Sequence, residues 1–160
     1  MNKQYLTWLK SFFTRPDRYP QLRGFSLLEN FSTFELYLLN NMLYKRSYKA
    51  GEMLYDREYP LEAVYFIIKG EVEVERSTGG SSRTVLAGNQ FLGVIDMFHE
   101  SLRSSSARAK TAVETYVITT HDLEELIRLN PKLGIKFLGN ACRFLSGYIF
   151  EMSQAKEMGA

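Results

Sequence analysis

The sequence has few cysteines and few histidines. One cysteine, Cys142, and two histidines stand in 160 residues. A single cysteine excludes an intramolecular disulfide and gives no sign of an oxidising compartment, so the sequence predicts a cytoplasmic protein. So few soft ligands also argue against a zinc site, and we expect no bound metal.

Neither an excess of charge nor a long apolar run is present. Twenty Lys and Arg stand against 18 Asp and Glu, a formal net charge of +2. This balance predicts no strong field toward nucleic acid or a membrane surface. No stretch reaches the roughly 18 unbroken apolar residues of a membrane span, and the apolar residues within 6–13 favour a short amphipathic helix over a signal peptide.

The motifs of common enzyme classes are also missing. The sequence contains no Gly-Lys-Ser/Thr phosphate loop and no nucleophile elbow. His99 and His121 are isolated, so a metal-binding barrel is not favoured. We therefore expect a protein that is not an enzyme.

What is present fits one globular domain with three successive patterns. Hydrophobic residues make up 45% of the chain and charged residues 24%, close to globular averages. Ser32 and Glu35 have the spacing of a capping box, and Asn130-Pro131 breaks a helical pattern. The predicted division is a helical extension at 1–21, helices at 22–43, a β-roll at 44–120 and C-terminal helices at 121–155.

The middle region has the pattern of short strands. Residues 63–68 are apolar and suit a buried strand, while Glu71, Glu73 and Glu75 alternate with Val72 and Val74. A Gly- and Ser-rich segment at 77–82 predicts a hairpin tip. The fold class is therefore α+β, mainly β: an antiparallel β-roll or jelly-roll-like barrel with N-terminal helices and a long C-terminal helix.

The last helix has two apolar rows, although a surface helix needs only one face to cover its own domain. One row is Phe137, Ala141, Phe144 and Tyr148. The other, which we call the outer row, repeats at spacings of three and four and comprises Ile135, Leu138, Cys142, Leu145, Ile149 and Met152. Two rows predict a homodimer through this helix, with deep burial in one domain as the alternative.

The order of features after residue 47 resembles the cyclic-nucleotide-binding domain family, and in particular the sensor domain of catabolite-activator-type (Crp/Fnr) regulators. The matching stretches are YKAGE at 48–52, VYFIIKGEV at 64–72, GNQFLG at 88–93, RSSSARAKT at 103–111 and DLEEL at 122–126. The resemblance implies a β-roll of about eight strands followed by a long helix.

The resemblance also implies a phosphate-binding cassette, in which Gly93, Arg103 and Ser104 match the glycine, the arginine and the small residue that follows it. The family's acidic residue, which accepts the ribose hydroxyl, is replaced by Val94, and Asp96 is the nearest carboxylate. Where the family usually has Gly-Asp before the buried strand, this chain has Glu58-Tyr59, which predicts an altered turn. The cassette thus matches in outline and departs in detail.

These features lead to three functional hypotheses. The first is a non-catalytic sensor domain that weakly binds cyclic AMP, cyclic GMP or another small anion at Gly93 and Arg103. The second is a degenerate member that has lost nucleotide binding and serves as a dimerisation module, and the third is the sensor part of a truncated transcription regulator. Tyr148 falls where the family's helix contacts the base, with core packing as the alternative, and no DNA-binding module is expected in the residues after the helix.

Overall fold

A computed structural model describes residues 18–60, 62–76, 82–97 and 102–158, with side chains up to Gln154. The predicted amphipathic helix at 6–13 and nearly all of the hairpin tip at 77–82 lie outside these residues.

Two four-stranded antiparallel sheets form the centre of the described fold. One sheet has the order β1-β8-β3-β6 and the other β2-β7-β4-β5. The strands are β1 Tyr44–Tyr48, β2 Met53–Tyr55, β3 Ala63–Lys69, β4 Val72–Arg76, β5 Ser82–Leu86, β6 Phe91–Leu92, β7 Ser105–Ala109 and β8 Val113–Thr119. The predicted fold class is confirmed.

Alternation decides which face of each strand is buried. In β4, Val72 and Val74 are buried, while Glu73 and Glu75 are partly exposed, because successive side chains of a strand point to opposite faces. The turn before β4 needs Gly70, which has a φ of +91°. A Cβ at this position would lie 2.3 Å from the carbonyl oxygen of Ala112, so only glycine fits.

The N-terminal helical region consists of short pieces rather than one continuous helix. They are α1 Pro20–Arg23, a 3₁₀ turn Ser26–Leu28 and α2 Thr33–Asn40. Asn30 has a positive φ of 64°, which a helix cannot accommodate. The predicted capping box is confirmed: the N–H of Glu35 donates to Ser32 Oγ at 3.2 Å, and the N–H of Ser32 donates to Glu35 Oε2 at 2.7 Å.

Three further helices complete the described chain: α3 Val94–Met97, α4 Thr120–Leu129 and α5 Pro131–Met158. The break between α4 and α5 falls at the predicted Asn130-Pro131. Helix α5 covers one end of the roll, where Phe137 and Ala141 are completely buried. They join a core that includes Phe25, Phe66 and Phe91, so α5 is held against the roll by one of its two apolar rows.

Candidate functional site

A cavity of about 590 Å³ lies between α3, strands β4 to β7 and helix α5. This volume suits a small-molecule ligand. Its wall combines apolar side chains, among them Val74, Leu86 and Phe91, with polar groups. The polar groups include Tyr55, Arg76, Asp96, Ser104 and Tyr148.

Gly93 leads from β6 into the short helix α3 and lines the cavity. Its φ is +92°, the left-handed region in which a side chain would be strained. The next residue, Val94, is 1% exposed and packs in the main core while touching the cavity. At the position where the family resemblance implies an acidic residue, this side chain therefore offers an apolar surface and no hydrogen-bond acceptor.

The Arg103 side chain lies behind the cavity wall and does not line it. It is 3% exposed, and its Nη2 donates to the carbonyl oxygen of Ala63 at 3.0 Å. The guanidinium carbon is 3.7 Å from the centroid of the Tyr55 ring and 5.5 Å from that of Tyr65. Desolvation by burial raises the pKa of Tyr55 and of Tyr65, so both present neutral aromatic faces to this cation.

One nitrogen of Arg103 lacks a partner. Nη1 is buried and makes no hydrogen bond to any residue that the structure describes. A buried charged donor without an acceptor is unfavourable, typically by about 1–3 kcal/mol or more. The arginine is thus held by two rings and one carbonyl, with unused capacity to bind an anion.

Ser104 and Asp96 form the polar contact inside the cavity. Ser104 Oγ donates to Asp96 Oδ1 at 2.6 Å, and the N–H of Ser104 lies 3.4 Å from the same oxygen. Asp96 is 6% exposed. Arg103 and Ser104, although adjacent in sequence, therefore turn their side chains to different partners.

The turn before β3 is joined to Arg103 through the backbone. The N–H of Glu58 donates to the carbonyl oxygen of Arg103 at 3.1 Å, and the N–H of Arg103 donates to that of Tyr59 at 2.9 Å. Glu58 has a φ of +67°. Glu58, which stands where the family resemblance implies a glycine, thus adopts the left-handed conformation at a steric cost.

Residues 45–130 match the family described as "Cyclic nucleotide-binding domain". The chain belongs to this family. A curated relative, described as a potassium channel protein of Rhodopseudomonas palustris, is 30% identical over 96 residues, which are 59% of this chain and 23% of the relative. The chain thus corresponds to less than a quarter of that protein's length.

Solved structures of the cyclic nucleotide-binding family have the same fold. A cyclic nucleotide-binding domain from Methylobacillus flagellatus matches with a TM-score of 0.77 and 21% identity, covering 94% of this chain and 85% of that one. The catabolite activator protein of Thermus thermophilus matches with a TM-score of 0.69 and 22% identity, covering 82% and 63% of the two chains. The expected likeness to catabolite-activator-type domains is confirmed at the level of the fold.

Arg76 is a cation on the cavity wall of this cyclic nucleotide-binding domain, and it was not predicted as a site residue from the sequence. It follows Val72 and Val74 on the inward face of β4, so the strand period itself predicts its direction. Its Nη1 donates to the Tyr148 hydroxyl of α5. Tyr148 therefore lies at the cavity, where the family resemblance suggested a base contact, and is engaged with Arg76.

Most of the outer row of α5 points away from the roll, while Met152 at its end also borders the cavity. Ile135 is 72% exposed and Ile149 66% exposed, and Leu138, Cys142 and Met152 are also exposed while Leu145 is partly so. The inner row is buried or half-buried. One helix face thus packs on its own domain, and the other lacks a cover among the described residues.

The described part of the chain contains neither a metal-binding cluster nor a membrane-spanning helix. Within 18–60, 62–76, 82–97 and 102–158, no group of three or more His, Cys, Asp or Glu side chains could hold a metal ion. No helix there is long and apolar enough to span a membrane.

Proposed function

We propose that this cyclic nucleotide-binding domain is a non-catalytic, cytoplasmic sensor domain that weakly binds a cyclic nucleotide, or another small anion, at Gly93, Arg103 and Ser104. The single observation that carries this proposal is the buried Nη1 of Arg103, which has no hydrogen-bond partner among the described residues. A phosphate oxygen would satisfy this donor through a charge-assisted bond.

Weak affinity follows from two local features. To reach the cavity, Arg103 must leave the Ala63 carbonyl and the face of Tyr55. Val94 then leaves a ribose hydroxyl without an acceptor, which costs on the order of 1–3 kcal/mol, or about fivefold to over a hundredfold in affinity.

The output of the sensor is proposed to be a homodimer formed through α5. The outer row is an exposed apolar surface at coiled-coil spacing, and a second copy of the same helix would bury it. Tyr148 and Phe144 belong to the cavity wall and to α5 at once, so a ligand in the cavity contacts the helix that would form the interface.

Isothermal titration of the full chain with cyclic AMP and cyclic GMP tests this function. We expect heat at millimolar ligand and its loss in Arg103→Ala. Arg128→Ala is the charge-matched control, since Arg128 lies exposed on α4 and away from the cavity. The absence of heat from the unaltered chain at millimolar ligand would contradict the proposal.

A second candidate function is a dimerisation module that has lost nucleotide binding. The burial of Arg103 behind Tyr55 favours it, because this arginine has been withdrawn from the cavity. In that case Arg103→Ala leaves partner binding unchanged, while a charged residue in the outer row still breaks the dimer.

A further inference from the structure

Asp96 occupies the two donors that Ser104 would present to an anion. Its Oδ1 accepts from the Ser104 hydroxyl at 2.6 Å and lies 3.4 Å from the Ser104 N–H. These are the two donors of Ser104, and both face the same carboxylate oxygen. An incoming phosphate at this position would have to displace Asp96 or share its donors.

The charge of Asp96 makes sharing unfavourable. The carboxylate is 6% exposed and lines the cavity. No Lys or Arg of the described chain lies within ion-pair distance of it; the ion pairs found there involve other residues. Two anions on one pair of donors, one of them a largely buried carboxylate, repel each other more strongly than in bulk solvent.

We propose that Asp96 is a specificity-determining residue of this site: its carboxylate takes the place of a ligand's anionic group at Ser104 and so disfavours cyclic nucleotides and phosphate. The inference rests on the proposed function, because it explains why binding at Gly93, Arg103 and Ser104 is weak. It assigns to Asp96 the opposite effect from that of an acceptor for a ribose hydroxyl.

The chain offers a matched control for this contact. Ser106 lies two residues after Ser104. Its hydroxyl donates to Asp56 Oδ1 at 2.6 Å. Asp56 is exposed and does not line the cavity. Asp96→Asn and Asp56→Asn therefore remove the same charge from the same kind of hydrogen bond, inside and outside the cavity.

Titration calorimetry of the full chain with cyclic AMP gives the first readout. Asp96→Asn should bind at least tenfold more tightly than the unaltered chain, and Asp56→Asn should bind with unchanged affinity. Adenosine, which has no anionic group, should gain less than threefold from Asp96→Asn. An equal gain for adenosine would show that the cavity has only loosened, and it would overturn the proposal.

A thermal-shift assay with inorganic phosphate gives a second readout that does not depend on the nucleoside. Phosphate at 1–10 mM (about the range of weak anion sites) should raise the melting temperature of Asp96→Asn. The shift that phosphate causes in Asp56→Asn should equal the shift in the unaltered chain. Adding Ser104→Ala to Asp96→Asn should remove the gain in both assays, since the freed hydroxyl is then absent.

The outcomes separate this inference from the proposed function. If the unaltered chain binds cyclic AMP and Asp96→Asn binds it equally, the role of Asp96 is refuted and the sensor function stands. If neither protein binds cyclic AMP or phosphate, both are refuted. Should Asp96→Asn fail to fold, as circular dichroism would show, Asp96→Ser provides the same comparison with a smaller uncharged side chain.

Discussion

Arg76 at the end of β4 donates a hydrogen bond from Nη1 to the hydroxyl of Tyr148, near the middle of α5. The guanidinium carbon also lies 5.2 Å from the centroid of the Tyr148 ring. Tyr148 stacks on Phe144, and Phe144 packs on Phe91 with ring centroids 4.6 Å apart. This chain of contacts fixes the second half of α5 against the cavity wall.

Tyr148→Phe should loosen this part of α5 without unfolding the domain. The substitution keeps the ring stacking and removes only the hydroxyl, so we expect a loss of about 1 kcal/mol in the free energy of unfolding. Amide hydrogen exchange should become faster after Phe144 and stay unchanged in β3 and β8. Tyr44→Phe is the control because Tyr44 is 54% exposed; equal exchange rates in the two variants would contradict this role for Tyr148.

Ile149→Glu should convert the proposed homodimer into monomers. Ile149 is 66% exposed in the single chain, so a glutamate there does not disturb the fold, but two copies facing each other would bury unpaired charge. We expect the dimer dissociation constant to rise by about a hundredfold or more, as measured by sedimentation or light scattering.

Gln154→Glu is the control for this substitution. Gln154 is exposed on the same helix, and at 100° per residue it lies on the side opposite the outer row. It should leave the dimer intact. A monomeric unaltered chain at micromolar concentration, or equal dissociation of both variants, would refute an interface through the outer row.

Glu58→Gly should stabilise the domain. Glu58 has a φ of +67°, a conformation that costs a residue with a Cβ about 1–2 kcal/mol. Glycine relieves this cost and adds entropy to the unfolded chain, so the net gain should be about 0.5–1 kcal/mol in urea unfolding. Glu62→Gly is the control, because Glu62 is exposed and close in sequence, and it should not stabilise the domain. A lower free energy of unfolding in both variants would show that the turn carries no strain.

Hydrophobic periodicity, helix caps and helix-breaking residues were sufficient to predict most of the fold. The alternation around Val72 and Val74, the capping box at Ser32 and the break at Pro131 each depend on local chemistry, which the sequence displays directly. The helical pattern at 22–43 was too coarse, because apolar spacing alone does not reveal the positive φ of Asn30. The segment therefore folds as short helices.

The site was harder to predict because side-chain partners come from distant parts of the chain. Arg103 and Ser104 match the family by position, yet whether the arginine faces a cavity or a tyrosine ring depends on Tyr55 and Tyr65 in other strands. The contact of Asp96 with Ser104 likewise depends on how the chain between these two residues folds back. Arg76 was predictable in principle, since it continues the inward face of β4.

Glu35 should make stability depend on pH in the acid range. Burial acts to raise its pKa, but the hydrogen bond from Lys136 Nζ at 2.8 Å, together with bonds from Ser32, lowers the pKa below its ordinary value of 4.5. A lowered folded pKa stabilises the fold above the unfolded value and ceases to do so as pH falls through the folded value. Glu35→Gln should therefore be less stable than the unaltered chain at pH 7, by about 1 kcal/mol or less, and the difference should shrink as the pH falls below 4.5.

Urea unfolding at pH 7, 5, 4 and 3 measures this difference, and Lys136→Met identifies its source. Glutamine retains the capping box, so the substitution removes the charge of Glu35 and leaves the N-terminus of α2 satisfied. In the Lys136→Met background the effect of Glu35→Gln should shrink at pH 7, because the partner on α5 is gone. A difference that stays constant from pH 7 to pH 3 would show that the pairing of α2 with α5 contributes nothing to the acid sensitivity of the fold.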